Sequence, residues 1–235
     1  MKETGFARSW VHDKTVVLGV QDSRLPHIAD GIRFLKEKGY DVIIRNSGGL
    51  AVALDPGIYN LSLVFPEDRS LSIDDGYNSM VTFIRRMFPE LQFRIEDGEI
   101  TESYCPGRFD LSVGGQKFAG ISQRRIRGGI AVQTYLAIHG KGAARAELIR
   151  SFYREAVQDG TVNIDYPRIE PEKMASLEEI MHRPLNMNDI NKRAWRELAK
   201  TGGNIQNFEL DIEYYPLYED HLARIRKRNQ KLSLD

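Results

Sequence analysis

The stretch YDVIIRNSGGLAVALDPGIYNLSLVF, residues 40–65, contains three apolar segments separated by two turn signals. The first two segments are short and rich in apolar, partly β-branched residues, which favours strands. The third, at 59–65, alternates apolar and polar residues as a half-buried strand does. The triplets at 47–49 and 55–57 are rich in Gly, Pro, Ser and Asp, which is typical of turns. The sequence therefore predicts three strands joined as an antiparallel meander.

The same patterns extend outward in both directions from this stretch. Further strands are predicted at 15–20, 93–96, 109–113, 116–123 and 128–138, and amphipathic helices at about 28–38, 74–87 and 145–157. After residue 160 strand patterns disappear and helical ones follow, at about 175–182, 187–200 and 216–230. Hairpin strands with helices between them predict an α+β fold with a mixed, largely antiparallel sheet packed with helices. We expect a main domain at 1–160 and a small helical C-terminal part at 161–235 that packs on it.

Composition excludes several classes of protein. The chain of 235 residues is 41% hydrophobic and 28% charged, as globular proteins are, and its 33 basic residues balance its 33 acidic ones. A balanced charge gives no general attraction for nucleic acid or for an anionic membrane. One cysteine, no apparent export signal and five scattered histidines predict a cytoplasmic protein without a disulfide or a metal site.

The single cysteine, Cys105, lies in the segment SYCPGRFD, residues 103–110. A lone cysteine is most often a small buried apolar residue. Pro106 and Gly107 follow it, however, and strand patterns flank it, so we expect it in a loop, where catalytic residues are frequent. A cysteine in this setting also suits a nucleophile, which becomes reactive when a nearby cation stabilises its thiolate.

Lys117 follows twelve positions later, in the segment VGGQKFAGIS, residues 113–122. An exposed strand lysine is the ordinary interpretation of such a residue. The two glycines before it and the small residues after it favour a lysine close to the thiol instead. There it would stabilise the thiolate and give a proton to a leaving amine.

The glycine turn at 47–49 also has two interpretations. It is a simple hairpin loop, or it is a backbone cradle in which bare N–H groups and Arg45 face the polar head of a ligand. In the second case, apolar neighbours would line a tunnel for an apolar substrate, either Leu50 and Ala51 or Val52 and Leu54.

A basic turn is predicted in the segment SQRRIRGG, residues 122–129, which carries Arg124, Arg125 and Arg127. A solvated turn is the simpler interpretation. The alternative is a docking patch for an acidic protein surface, because local charge is sufficient to steer association.

Three segments together resemble the biotin/lipoate protein ligase and octanoyltransferase superfamily: RNSGGLAVALDPGIYNLSLVF, SYCPGRFDLSVGGQKFAGISQRR and RGGIAVQTYLAIHG. They are most similar to its cysteine-dependent branch, the octanoyl-[glycine cleavage H protein]:protein N-octanoyltransferases. The resemblance extends from about Phe6 to the C-terminal helices. It implies a ligase-like catalytic domain and the transfer of an octanoyl group from a lysine of the H protein to a lysine on the lipoyl domains of 2-oxoacid dehydrogenase E2 subunits.

The resemblance also implies roles for individual residues. Cys105 would carry the acyl group as a thioester, and Lys117 would stabilise its thiolate. The expected substrate-binding residues are Arg45, Ser47, Gly48, Gly49, Leu50, Ala51, Gly115 and Gly120. Because an amide is exchanged for an amide, the reaction is nearly thermoneutral, so no ATP and no cofactor are expected.

Two features differ from the wider superfamily. ATP-dependent lipoate ligases carry a fuller loop of the type RRxSGGGxVFHD, whereas this chain reads RNSGGLAVALD without the second arginine or the histidine. Members of the family also usually have a further helix and strand before the segment ARSWVH, close to which this chain starts. The alternatives are transfer from octanoyl-acyl carrier protein, an ATP-dependent ligase, and a non-catalytic module that binds lipoyl domains.

Overall fold

The computed structural model describes residues 5–68, 70–160, 165–202 and 204–230. The strands are β1 (Phe6–Trp10), β2 (Thr15–Leu18), β3 (Asp41–Ile44), β4 (Val52–Leu54), β5 (Ile58–Pro66), β6 (Glu96–Asp97), β7 (Leu111–Val113), β8 (Gln116–Ile126) and β9 (Gly129–Ala137). The helices are α1 (Ile28–Glu37), α2 (Ile73–Met87), α3 (Gly142–Val157), α4 (Leu177–Met181), α5 (Met187–Ala199) and α6 (Tyr215–Gln230).

The strands form two sheets. The larger has the order β1-β5-β9-β8-β7-β6, and every neighbouring pair in it is antiparallel. The smaller has the order β3-β2-β4, in which β2 pairs parallel with β3 and antiparallel with β4. The predicted α+β class with mixed, largely antiparallel strands is confirmed.

The predicted meander at 40–65 is wrong. β3 and β4 lie on opposite sides of β2, and β5 leaves them to pair between β1 and β9 in the large sheet. Seven residues separate β3 from β4, too many for a tight hairpin turn. The first five residues of β5, Ile58–Ser62, are buried without alternation, as suits a central strand covered on both faces.

Two apolar cores lie on the two faces of the large sheet. Along β9, Val132 and Leu136 belong to the first core, together with residues of α2, α4 and α5. Tyr135 and Ala137 belong to the second, with residues of α1, α3 and the small sheet. This alternation follows from the two-residue period of a strand. The cysteine loop and the glycine turn lie on the side of the second core.

Some element bounds differ from the predictions. The strand expected at 93–96 is only Glu96–Asp97, because residues 92–94 form a turn. β8 continues to Ile126, so Arg124 and Arg125 lie in a strand. The turn is Arg127-Gly128, both with positive φ.

The C-terminal helices were predicted well in position. Ile180 of α4 and Ile190 of α5 are buried in the first core. α6 is exposed along its length, and the side chain of Asn229 ties it to β3, accepting from the Ile44 N–H (2.7 Å) and donating to the Ile44 carbonyl (3.2 Å). The division into domains at residue 160 stays a prediction, and residues 161–164, which follow it, lie outside the described residues.

No described helix has the length and apolar character that a membrane crossing requires.

Gly142, the first residue of α3, allows this helix to pack closely against the chain before α4. A Cβ added there would lie 2.6 Å from the Ala175 backbone nitrogen. We therefore expect Gly142→Ala to lower the free energy of unfolding by about 1–3 kcal/mol, as overpacked sites do. Urea unfolding measures the change. Gly98→Ala is the matched control, because a Cβ at Gly98 meets nothing within 4 Å, and equal effects in the two variants would contradict the prediction.

Candidate active site

Cys105 lies on a loop that connects β6 to β7 and is closed by its own backbone. Gly98 N–H donates to the Asp110 carbonyl (3.0 Å), and Asp110 N–H donates to the Gly107 carbonyl (2.9 Å). Within the loop, Cys105 is half-buried and has a φ of 46°. A left-handed conformation costs energy for a residue other than glycine, so the surrounding structure must hold it in place.

A bulge in β8 directs Lys117 toward this loop. Ala119 pairs with Leu111, but Lys117 pairs with the next residue, Ser112, so Phe118 is an extra residue in the strand. Phe118 and Ala119 consequently both enter the first core. Lys117 is turned to the other face, where the loop lies. Bulges commonly redirect a side chain in this way next to active sites.

The Lys117 side chain is fully buried beneath the loop. Its Nζ donates to Ser103 Oγ (3.0 Å), to the Tyr104 carbonyl (2.9 Å) and to the Cys105 carbonyl (3.0 Å). It also forms an ion pair with Asp110 Oδ2 at 3.0 Å. Four oxygens thus surround an ammonium with three N–H groups. Lys117 contacts the peptide backbone of the cysteine loop.

Asp110 is the buried carboxylate partner of Lys117. Its carboxylate is 2% exposed and accepts from Gly107 N–H (3.0 Å) and Ile100 N–H (3.4 Å) as well as from Lys117. Burial raises the pKa of Asp110 above its ordinary value, while the Lys117 charge and the backbone N–H groups oppose this rise. The ion pair therefore joins β7, β8 and both ends of the cysteine loop.

The thiol itself faces the glycine turn. Leu50 N–H donates to Cys105 Sγ at 3.3 Å, and Arg45 Nη2 lies 3.7 Å from the sulfur. Arg45 Nη2 also donates to the Leu50 carbonyl at 2.7 Å, which folds the loop around the guanidinium. Gly49 has a φ of 94°, and a Cβ there would overlap Arg45 and lie 3.4 Å from Sγ. A glycine is needed at this position for both reasons.

A buried hydrogen-bond chain holds the far end of the glycine turn. Ala51 N–H donates to the Tyr153 hydroxyl (3.2 Å), which donates to Asp22 Oδ1 (2.8 Å). Asp22 Oδ2 accepts from Gly19 N–H (2.7 Å). Burial raises the pKa of Asp22, although the hydrogen bonds from Gly19 and Tyr153 lower it in part. The turn is thus attached to α3 through Tyr153.

Comparison with known proteins identifies the family. Residues 2–199 match the model of the lipoyl protein ligase A/B catalytic domain. The octanoyl-[GcvH]:protein N-octanoyltransferase of Exiguobacterium sibiricum is 51% identical over 98% of this chain and 84% of that protein. The chain belongs to this family. The N-octanoyltransferase of Geobacillus kaustophilus is 48% identical, over 95% of this chain and 79% of that protein.

Solved structures of lipoate ligases share the fold. Lipoate-protein ligase A bound with ATP gives a TM-score of 0.69 at 15% identity, over 93% of this chain and 81% of that one. The bipartite lipoate protein ligase of Thermoplasma acidophilum gives 0.66 at 16% identity, over 93% and 80%. The family resemblance is confirmed, and as an N-octanoyltransferase family member the chain is an acyltransferase.

Some of the predicted site residues of this N-octanoyltransferase family member lie next to the thiol, and others lie away from it. Arg45, Gly49 and Leu50 adjoin Sγ, whereas Ser47 and Gly48 are exposed in the turn. Ala51 is buried in the second core, as are Val52 and Leu54. The substrate-binding roles of these residues stay predictions.

Gly115 and Gly120 have structural explanations of their own. Gly115 lies with Gly114 in the exposed two-residue turn between β7 and β8, where both have positive φ. Gly120 lies against the Tyr135 ring, and a Cβ there would be 2.8 Å from Tyr135 Cε1. The position of Gly120 on the second-core face places the Tyr135 ring beside that of Tyr104, 5.9 Å between centroids.

Several residues of the site were missed in the sequence. Asp22, Ser103, Asp110 and Tyr153 hold the two loops. Ser103 and Asp110 lie in the cysteine segment 103–110, but they were not predicted as site residues. Asp110 had one usable signal, a charged residue directly before the buried strand β7. Tyr104 and Tyr153 are buried, which raises the pKa of each hydroxyl. Tyr153 therefore joins Ala51 and Asp22 as a neutral hydroxyl.

The arginines of the predicted docking patch differ in how many hydrogen bonds they form within the protein. Arg125 donates to the Leu71 carbonyl (2.8 Å) and to the Ser72 carbonyl, next to the start of α2. Arg124 donates to Asn46 Oδ1 (3.1 Å) at the base of the glycine turn. Arg125 therefore has a local structural role, and docking through Arg124 and Arg127 stays a prediction.

Proposed function

We propose that the protein transfers an octanoyl group from octanoylated glycine cleavage H protein to the lipoyl-domain lysine of E2 subunits, through a thioester on Cys105. One observation carries this proposal: the only sulfur nucleophile of the chain receives a backbone N–H and lies beside a guanidinium. The names of relatives about half identical to the chain support the H protein as donor. The predicted cytoplasmic location stays a prediction.

The reaction consists of two acyl transfers. The Cys105 thiolate attacks the carbonyl carbon of the octanoyl-lysine amide, the C–N bond breaks, and the departing amine takes up a proton. A thioester results. The acceptor lysine, as a free amine, then attacks the thioester carbon, loses a proton, and the C–S bond breaks to restore the thiolate. One amide is consumed and one is formed, so the balance needs neither water nor a nucleotide.

The contacts of Lys117 favour a positioning role in this reaction. A lysine that transfers a proton to a leaving amine has to reach that amine. Lys117 Nζ is instead surrounded by four oxygens, three from the cysteine loop and one from Asp110.

Burial of the octanoyl chain supplies about 0.8 kcal/mol of binding free energy per CH₂ group, hence roughly 5 kcal/mol if the chain is enclosed. This is enough to hold a small acyl group.

Intact-protein mass spectrometry tests the proposal. The protein is incubated with octanoylated H protein in the absence of ATP and is then treated with hydroxylamine, which cleaves thioesters. We expect a gain of one octanoyl group that hydroxylamine removes and that Cys105→Ala does not acquire. An adduct formed only with octanoyl-acyl carrier protein would show that this protein, and not the H protein, is the donor. Transfer of free octanoate to a lipoyl domain that occurs only with ATP would indicate a ligase. No adduct with any donor, and no such transfer, would indicate a module that only binds lipoyl domains.

A further inference from the structure

Two exposed arginines from distant parts of the chain lie beside the glycine turn that adjoins the thiol. Arg124 of β8 donates to Asn46 Oδ1 at 3.1 Å. Arg228 of α6 donates to the carbonyl oxygen of Arg45 at 3.4 Å. Residues 45 and 46 lead directly into the turn at 47–49. Arg124 and Arg228, here called the rim arginines, therefore border the entrance to the candidate active site.

The strand that carries Arg124 directs it toward this entrance. Side chains two positions apart in a strand share a face, so Arg124 shares the face of Gly120. Gly120 lies against Tyr135, which belongs to the second core, on the side of the cysteine loop and the glycine turn. Arg124 is exposed on the continuation of this face beyond the core. Its place next to the turn thus follows from the period of β8.

The other rim arginine belongs to the basic end of α6. The last two turns of this helix carry four basic residues and no acidic ones: Arg224, Arg226, Lys227 and Arg228. Positive charge is favourable at the C-terminus of any helix, which explains its sign. It does not explain its location, which the contact between Asn229 and Ile44 fixes beside β3 and the glycine turn.

The charge of the rim arginines is not neutralised within the described part of the chain. Both donate there to neutral oxygens, an amide and a carbonyl, and neither forms an ion pair with a described carboxylate. By contrast, the exposed Arg33 and Arg108 each pair with an aspartate. The chain as a whole has no net charge, so the positive charge at the entrance is local. Free guanidinium groups of this kind suit carboxylates of a partner.

The proposed reaction limits what this partner is. A target lysine has to reach Cys105 past residues 47–49, which are exposed. Because a lysine side chain is short, the protein surface that bears it must come to lie on the residues that border the turn. Carboxylates beside that lysine would be attracted by the rim arginines, and basic residues would be repelled. The donor and the acceptor each bring a lysine to the same sulfur, so both must use this surface.

We propose that the rim arginines form a docking surface for carrier domains that have carboxylates beside the target lysine, and that donor and acceptor occupy it in turn. This inference deepens the proposed function and rests on it, since Cys105 is the point that both lysines reach. It differs from the predicted patch at 122–129 because α6 supplies part of the surface. It also implies that the two carriers compete for one site.

Titration calorimetry with unmodified H protein and with an isolated lipoyl domain tests the surface without requiring any chemistry. We expect Arg124→Glu with Arg228→Glu to weaken the binding of both domains by about tenfold, and each domain to displace the other from the parent protein. Lys192→Glu with Arg196→Glu is the matched control. It changes the net charge equally on an exposed part of α5, which packs on the opposite face of the large sheet, so its affinities should stay close to those of the parent.

Acylation of Cys105 by octanoyl-pantetheine, a thioester without a protein surface, separates docking from damage to the site. In the reversed variant, we expect the loss of acylation rate from octanoylated H protein to exceed the loss from the small thioester by about tenfold. Equal losses from the two donors would overturn the inference. Parent-like affinity of the reversed variant for both domains would overturn it as well, as would a parent protein that binds neither.

A single variant decides if the reversed protein does not fold. Arg228→Gln removes one charge from the exposed helix and is expected to weaken the binding of both domains by a smaller factor, and unchanged affinities would contradict the proposal. Failure of the proposed function looks different. In that case Cys105→Ala retains octanoyl transfer, whatever the affinities of the carrier domains are.

Discussion

Replacing Cys105 with serine is expected to lower the initial rate of octanoyl transfer by about 10³-fold or more, with little change in stability. A hydroxyl fits the space of the thiol and can accept from Leu50 N–H, as the sulfur does. It does not form an anion near neutral pH, however, so it is a far weaker nucleophile than a thiolate. The measurement is transfer from octanoylated H protein to an isolated lipoyl domain, without ATP, followed by mass spectrometry.

Arg108→Gln is the matched control for this experiment. Arg108 lies three residues further along the same loop, is largely exposed, and pairs with Asp74 at the start of α2. Its loss leaves the contacts of Cys105 in place, so transfer should stay close to the parent rate. If Cys105→Ser keeps more than about a tenth of the activity while folding normally, the thioester mechanism is wrong.

Replacing Lys117 with methionine is expected to lower the free energy of unfolding by about 3–5 kcal/mol, because it leaves Asp110 charged, buried and without its cation. Three oxygens of the cysteine loop lose a donor at the same time. Urea unfolding measures the loss. Lys192→Met is the matched control, since Lys192 forms an exposed ion pair with Asp189 at 3.6 Å and its loss should change stability little.

A double variant separates the buried charge from the loop contacts. In Lys117→Met with Asp110→Asn, no charge is left unpaired, and the asparagine oxygen still accepts from Gly107 N–H. We expect about half of the lost stability to return, while octanoyl transfer stays low because the Ser103, Tyr104 and Cys105 oxygens remain without their donor. Full recovery of activity would contradict the positioning role, as would a Lys117→Met protein about as stable as the parent.

Local sequence patterns predicted the helices and most strands correctly. The amphipathic period identified α1, α2 and α3, and the turn signals identified the cysteine loop and the glycine turn. The residues around Lys117 suggested that it lies close to Cys105, and the family resemblance implied the same relation. Periodicity does not show which strands pair with each other, and for this reason the meander predicted at 40–65 was wrong.

The geometry of the site depended on features that leave little trace in one sequence. The extra residue Phe118 turns Lys117 to the other face of the sheet, and a strand pattern does not reveal a bulge. Asp110 is recognisable as a partner of Lys117 only once both are seen to be buried. The contact between Arg45 and Cys105 joins residues far apart in the chain, so the sequence suggested a ligand-binding arginine instead.

The contact between Asn229 and Ile44 has a consequence for self-association. β3 is the outer strand of the small sheet, and an outer strand with free N–H and C=O groups is a template onto which a strand of another molecule adds. The Asn229 amide occupies both groups of Ile44, next to the arginine that faces the sulfur. This contact removes one free donor and one free acceptor from the edge, which opposes strand addition, and with it aggregation, at the border of the active site.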